Sequence, residues 1–186
     1  MRSGREKAWK WAALLLAAGA AAAGGWAWAM QGELTTARYE VPLPVGLEGL
    51  DGVKIAQISD VHSADLEGPL RAALEEAAPD LIVMTGDLVN REDRDLSRAL
   101  SLARMAAETA PAFFAPGNHE VDNPCWPELR DGLEEAGVQV LEDRAVLWSL
   151  RGEAVNLMGL WDVTHDPMGR AHAQAALPER IQALCR

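Results

Sequence analysis

Three short polar clusters hold the residues whose types could carry chemistry. They are Asp60-Val61-His62, Gly86-Asp87-Leu88-Val89-Asn90 and Gly117-Asn118-His119-Glu120. Carboxylate, imidazole and amide groups together are ligands that suit divalent metals such as Mn, Fe, Zn or Mg. A carboxylate among further ligands can bridge two ions, and two ions about 3.5–4 Å apart can clamp a phosphoryl group. The clusters therefore indicate a divalent-metal site that is able to hold phosphate.

Each polar cluster follows a short apolar segment that is typical of a strand. These segments are Val53–Ser59, Leu81–Thr85 and Ala112–Ala115, and helical patterns separate them. Alternation of strands and helices predicts a mostly parallel α/β sheet with right-handed crossovers. Ligands of such sheets bind at the carboxyl ends of the strands, so we expect the three clusters to converge at one edge.

Further elements are predicted from apolar spacing and from turn residues. Helices are expected at Pro69–Ala78, Asp95–Glu108, Trp126–Ala136 and residues 171–184. Gly137 is expected to end the third of these helices. Later strands are expected at Gln139–Leu141, Ala145–Leu150 and Ala154–Leu160. The last two strands form a hairpin through Arg151-Gly152-Glu153 in this interpretation.

The three clusters, in this order and each after a strand, resemble the motifs of the calcineurin-like metallophosphoesterases. The family pattern reads D-x-H, G-D-x-x-[ND] and G-N-H-[DE], and this chain has DVH, GDLVN and GNHE. The longer segments KIAQISDVH, PDLIVMTGDLVN and VNLMGLWD are similar to the exported or membrane-bound bacterial branch. The resemblance extends from about Val53 to the C-terminus. It implies the family's α/β/β/α sandwich, here incomplete at the C-terminus.

The resemblance also implies metal-binding roles for the matching residues. Asp60 and His62 would bind a first divalent ion, Asp87 would bridge two ions, and Asn118 would bind the second. A hydroxide bound to metal would act as the nucleophile, because coordination lowers the pKa of water. Metal identity stays open among Mn, Fe, Zn and Mg.

The remaining cluster residues would act around these ligands. His119 would contact the phosphate and assist the leaving group as an acid or an electrostatic stabiliser. Asn90 and Glu120 would support the ligands from behind. The implied activity is hydrolysis of a phosphomonoester or phosphodiester of a small molecule or lipid. A pyrophosphatase of a nucleotide-linked lipid is a narrower alternative.

One feature departs from the family pattern. The family completes its site with later S-H-x-P-like and G-H-x-H segments, whereas this chain has only His165 and His172 after His119. The first metal would lack one His ligand and the second would lack two. An alternative expectation is therefore a catalytically incomplete fragment that keeps half of the metal site.

The first thirty residues differ in composition from the rest of the chain. Residues 1–10 contain four basic side chains and one acidic one, and residues 11–30 contain no charged side chain. Twenty helical residues at roughly 1.5 Å each span about 30 Å, which is the thickness of the hydrocarbon core of a bilayer. Tryptophans, which favour membrane–water interfaces, lie near both ends of this stretch. The pattern predicts a transmembrane helix over residues 11–30.

The basic flank predicts orientation and domain organisation. Lysine and arginine favour the cytoplasmic side, so we expect residues 1–10 to be a cytoplasmic tail and later residues to be non-cytoplasmic. Residues 31–50 are then a linker, and residues 51–186 form a truncated metallophosphoesterase domain. A cleaved signal peptide ending near Ala27-Trp28-Ala29 is the alternative, and it would release a secreted or periplasmic protein.

Composition excludes several other classes. Seventeen basic residues against 28 acidic ones give a net charge of −11, which argues against nucleic-acid binding. Two cysteines and no C-x-x-C pair argue against a cysteine zinc site. An apolar fraction of 49% and a charged fraction of 24% are typical of a globular protein.

Overall fold

Four parallel strands form the central sheet. The computed structural model describes residues 33–161 and 170–184. The strands, in chain order and in spatial order, are β1 (Ile55–Ile58), β2 (Leu81–Met84), β3 (Ala112–Phe114) and β4 (Gln139–Val140). Ile58 pairs with Met84, which pairs with Phe114. The predicted α/β fold with a parallel sheet is confirmed, and each strand lies within the predicted segment.

Five helices are described in these parts of the chain. They are α1 (Glu67–Ala77), α2 (Ser97–Thr109), α3 (Asn118–Asp122), α4 (Trp126–Glu135) and α5 (Arg170–Leu184), and a short 3-10 helix, Glu48–Leu50, precedes β1. Sequence patterns predicted four of the α-helices within a few residues of their ends. Gly137 follows α4 with a φ of +92°, as expected for the residue that ends a helix. Helix α3 was not predicted.

Helices α1, α2 and α4 pack against one face of the sheet. Alternate strand residues, among them Ile82, Met84 and Phe114, point to this face and are almost fully buried. They share one apolar cluster with leucines of the three helices, namely Leu70, Leu74, Leu102, Leu129 and Leu133. Right-handed crossovers between successive neighbouring strands place every connecting helix on the same side, which explains why one face takes all three.

A β-hairpin packs against the opposite face. Strands β5 (Arg144–Leu150) and β6 (Glu153–Gly159) pair antiparallel. The other alternate residues of the sheet, such as Leu81 and Phe113, form a second apolar cluster with Leu150 and side chains of the hairpin. The ring of Trp148 meets Phe113 edge-on with centroids 5.2 Å apart. The described residues thus form a helical layer, a parallel sheet and a hairpin.

The N-terminal predictions fall on residues that the structure does not describe. The expected tail over residues 1–10 and the expected anchor over residues 11–30 both lie outside the described ranges, as does His165. Within residues 33–161 and 170–184, no helix combines the length and the apolar character needed to cross a membrane.

Candidate metal centre

The loops that follow β1 and β2 run side by side beyond the carboxyl edge of the sheet. The backbone N–H of His62 donates to the carbonyl of Asp87 at 2.9 Å, and Ser63 N–H donates to the carbonyl of Leu88 at 2.8 Å. These bonds continue the pairing of β1 and β2 into the loops. They bring the first two polar clusters together, as the strand order predicts.

Several residues of these loops adopt a left-handed backbone. The φ angles are +58° at Asp60, +50° at His62, +57° at Ser63 and +56° at Asp87. Each non-glycine residue in this region costs on the order of 1–3 kcal/mol and persists only where its surroundings hold it. Such residues concentrate at functional sites, and here they include three predicted metal ligands, namely Asp60, His62 and Asp87.

Two glycines allow the loops after β2 and β3 to touch. A Cβ atom on Gly86 would lie 2.5 Å from the Cα of Gly117, and a Cβ atom on Gly117 would overlap Oδ1 of Asp87. Gly86 also has a φ of +83°, which favours glycine for conformation as well as for space. The close approach places the third polar cluster directly against Asp87.

Three side chains, from the loops after β1 and β2 and from the first turn of α3, meet at one point. Ligand atoms of His62, Asp87 and His119 all lie within 4.8 Å of one another. The two imidazole rings are 4.7 Å apart between centroids and meet at 70°. The backbone N–H of His119 donates to Oδ1 of Asp87 at 3.1 Å, which ties the third loop to the second. One carboxylate and two imidazoles form a donor set that suits Zn, Mn or Fe.

Both histidines carry an unpaired buried nitrogen. Nδ1 of His62 and Nδ1 of His119 are buried and have no hydrogen-bond partner among the described residues. Buried polar atoms in proteins almost always have a partner, so these two nitrogens are groups that a bound ligand could satisfy. These residues therefore fit a divalent metal ion.

The other two predicted metal ligands lie beside this group. Oδ1 of Asp60 is 3.8 Å from Nε2 of His62, and the Asp60 side chain is 68% exposed at the rim. Ser59 donates its hydroxyl to the other carboxylate oxygen of Asp60 at 2.5 Å. Asn118 is the first residue of α3, half-buried, and follows the glycine that touches Asp87. The five residues predicted to bind metal or phosphate thus lie on the loops after β1 and β2 and in the first turn of α3.

Glu120 lies beneath the centre and is fully buried. Its Oε2 accepts the backbone N–H of Asp87 at 2.7 Å and that of Gly117 at 2.9 Å. Its Oε1 accepts the backbone N–H of Val89 at 3.2 Å. A single carboxylate therefore joins the loop after β2 to the loop after β3.

A second hydrogen-bond network holds the loop after β2. Asn90 is the one member of this network that sequence reasoning named. The Asn90 amide donates to the carbonyl of His62 at 3.0 Å and to Asp93 at 3.1 Å. Ser63 donates its hydroxyl to Asp93 at 2.5 Å. The buried Asn123 donates to the carbonyls of Asn90 at 2.7 Å and Asp93 at 3.0 Å. The spacing of Asn90 and Asp93 is typical of a turn, and it was the one sequence signal that could have indicated this network.

Asp93 is the titratable group of this network. Burial raises the pKa of the Asp93 carboxyl, but hydrogen bonds from Ser63 and Asn90 together lower it by more. Its pKa therefore lies below its ordinary value. The carboxyl is therefore ionised at neutral pH and serves as the acceptor that joins the first two loops.

The sequence matches the calcineurin-like phosphoesterase family over residues 53–176. A Danio rerio protein named "Transmembrane protein with metallophosphoesterase domain" is 30% identical to this chain over 115 residues. The alignment covers 56% of this chain and 25% of the relative, so the chain spans about a quarter of the relative's length. One solved chain superposes with a TM-score of 0.45 and 16% identity, over 68% of this chain and 64% of its own length.

Proposed function

The chain belongs to the calcineurin-like phosphoesterase family, and from this premise we propose that it hydrolyses phosphate esters with divalent metal ions. The family match confirms the resemblance that the three motifs suggested. The observation that carries the proposal is the meeting of His62, Asp87 and His119, with two buried imidazole nitrogens that have no described partner. Family membership and the candidate metal-binding group formed by the motif residues both support metal-dependent hydrolysis of phosphate esters.

We assign two ions to this centre. Strand β2 lies between β1 and β3, so Asp87 at its end lies between the residues that follow its neighbours. From this central place Asp87 could contribute to the binding of both ions, while Asp60 and His62 would hold one and Asn118 would hold the other. The hydrogen bond from His119 N–H to Asp87 uses one acceptor site on Oδ1, and a carboxylate has further acceptor sites on both oxygens.

The chain's own residues would then orient the substrate and supply a proton to the leaving group. When bound, the divalent ions supply positive charge to the phosphoryl group and activate a water molecule. His119 faces the same centre as His62 and Asp87, so its imidazole is placed to contact the phosphoryl oxygens. It would also donate a proton to the leaving-group oxygen, which is the general-acid role.

Activity of the full 186-residue chain tests this proposal. We expect turnover of an aryl phosphate monoester or diester in the presence of Mn²⁺, and loss of that turnover on chelation or in Asp87→Ala. Asp131→Ala is the matched control, because Asp131 lies exposed on α4 and bonds to its neighbour Arg130. Turnover that persists in Asp87→Ala, or no turnover in the unmodified chain with any divalent metal, would contradict the proposal.

The substrate class follows from charge and from the predicted location. We propose a phosphorylated small molecule or lipid, with no nucleic-acid partner, because the chain carries a net charge of −11. Attraction of an anionic substrate then depends on the metal ions and not on the protein surface. Comparing turnover of a monoester, a diester and a pyrophosphate would separate the three substrate types.

We also propose that the chain is membrane-attached, with the phosphoesterase domain on the non-cytoplasmic side. The uncharged residues 11–30 and their basic flank support this, and the Danio rerio relative is named a transmembrane protein. The anchored chain should sediment with membranes after a high-pH wash, and protease outside intact cells or spheroplasts should digest it. Release of a shortened soluble product would instead support the cleaved signal peptide.

A further inference from the structure

Glu120 is the one ionisable side chain that is fully buried among the described residues. Its exposed fraction is 0%, and the other buried polar residue in those ranges is Asn123. An isolated carboxylate in a protein interior is strongly disfavoured unless hydrogen bonds compensate for lost water. The metal ligands, by contrast, are partly exposed at the rim. The burial of Glu120 therefore needs a reason other than direct contact with substrate.

Three backbone N–H groups satisfy this carboxylate. Asp87 N–H and Gly117 N–H donate to Oε2 at 2.7 and 2.9 Å, and Val89 N–H donates to Oε1 at 3.2 Å. The donors come from the loops after β2 and β3, whereas Glu120 belongs to α3. One side chain thus fixes two loops and the start of a helix relative to one another.

This arrangement holds Asp87 from two directions. Glu120 accepts from its backbone N–H, while Oδ1 of Asp87 accepts from the backbone N–H of His119. We propose that Glu120 is a positioning residue that sets the distance between Asp87 and His119, and so determines the affinity of the centre for metal. The inference rests on the proposed function, since it concerns the metal centre described above.

The geometry requires a carboxylate and not merely a polar side chain. A carboxylate has acceptor sites on both oxygens, which receive the three N–H groups. A glutamine of the same size has one oxygen and one NH₂ group. The NH₂ group cannot accept a hydrogen bond, yet it would face at least one of these backbone donors. The substitution Glu120→Gln therefore leaves a buried donor unpaired and separates the loops, although it changes shape very little.

Co²⁺ titration of the full chain tests the proposal. Glu120→Gln should bind Co²⁺ about 10–100-fold more weakly than the unmodified chain, and its Co²⁺ absorption spectrum should change as the ligands move. Glu135→Gln is the matched control, because Glu135 is exposed at the end of α4. Circular dichroism of the metal-free variants establishes that they are folded. An unchanged affinity and spectrum in folded Glu120→Gln would overturn the proposal.

Amide hydrogen exchange of the unmodified, metal-free chain provides a second measurement that does not depend on a variant folding. The proposal predicts slow exchange at Asp87, Val89 and Gly117, comparable with the amides of β2. Rapid exchange at these positions would overturn it. Protected amides in a chain that hydrolyses no phosphate ester would count against the proposed function alone, so the two proposals can fail separately.

Discussion

At the scale of single residues, the centre contains residues with unfavourable backbone conformations, which interactions with neighbouring loops must offset. Asp60, His62 and Asp87 all have positive φ angles, which are unfavourable for residues with a side chain. Hydrogen bonds from neighbouring loops compensate by fixing the backbone, as between His62 N–H and the Asp87 carbonyl. The ligands are therefore oriented before any metal binds, which is the condition for tight binding.

Asn123 offers the clearest test of this compensation. Its amide donates to the carbonyls of Asn90 and Asp93, and its side-chain oxygen accepts Cys125 N–H at 2.7 Å. Asn123→Ala should lower the free energy of unfolding by about 1–3 kcal/mol, because buried groups lose their partners. Urea denaturation measures this, with the exposed Asn156→Ala on β6 expected to change stability by less than about 0.5 kcal/mol. Equal stability of the two variants would refute the explanation.

At the scale of elements, apolar runs were enough to predict the parallel sheet, and a polar cluster at each strand end was enough to predict the edge where the site lies. Helix α3 escaped prediction because its five residues, Asn118–Asp122, are too few to show an apolar period. The interactions of Glu120 and Asn123 also escaped it. Their partners in the loop after β2 lie about thirty residues earlier in the chain, and nothing in local composition indicates such a contact.

The contact between the loops after β2 and β3 yields a prediction about glycine. Gly117→Ala would push the new Cβ against Asp87 and force the two loops apart, because Oδ1 of Asp87 occupies that space. We expect metal affinity and turnover to fall together in this variant. Gly68→Ala is the matched control, since nothing lies within 4 Å of the added atom and α1 tolerates alanine well. Equal metal affinity in the two variants would show that the close approach is not required.

At the scale of the whole molecule, the two ends of the sheet have different tasks. The metal centre lies at the carboxyl edge, formed by loops after three successive strands. At the amino edge, Arg151 in the hairpin turn binds both carboxylate oxygens of Asp80 and the carbonyl of Asp51, which holds the hairpin on the sheet. The layers thus hold the strands rigidly while the loops at one edge carry the chemistry.

The central claim is that side chains from two loops and from helix α3, each following a different strand, form one divalent-metal site. The most direct measurement is a Mn²⁺ titration of the full chain, in which the electron paramagnetic resonance signal of free Mn²⁺ reports how much of the ion is unbound. We predict saturable binding by the unmodified chain and by Asp131→Ala, and affinity reduced by more than roughly tenfold in both His62→Ala and Asp87→Ala. Undiminished binding in these two variants, or no binding by the unmodified chain, would contradict the account.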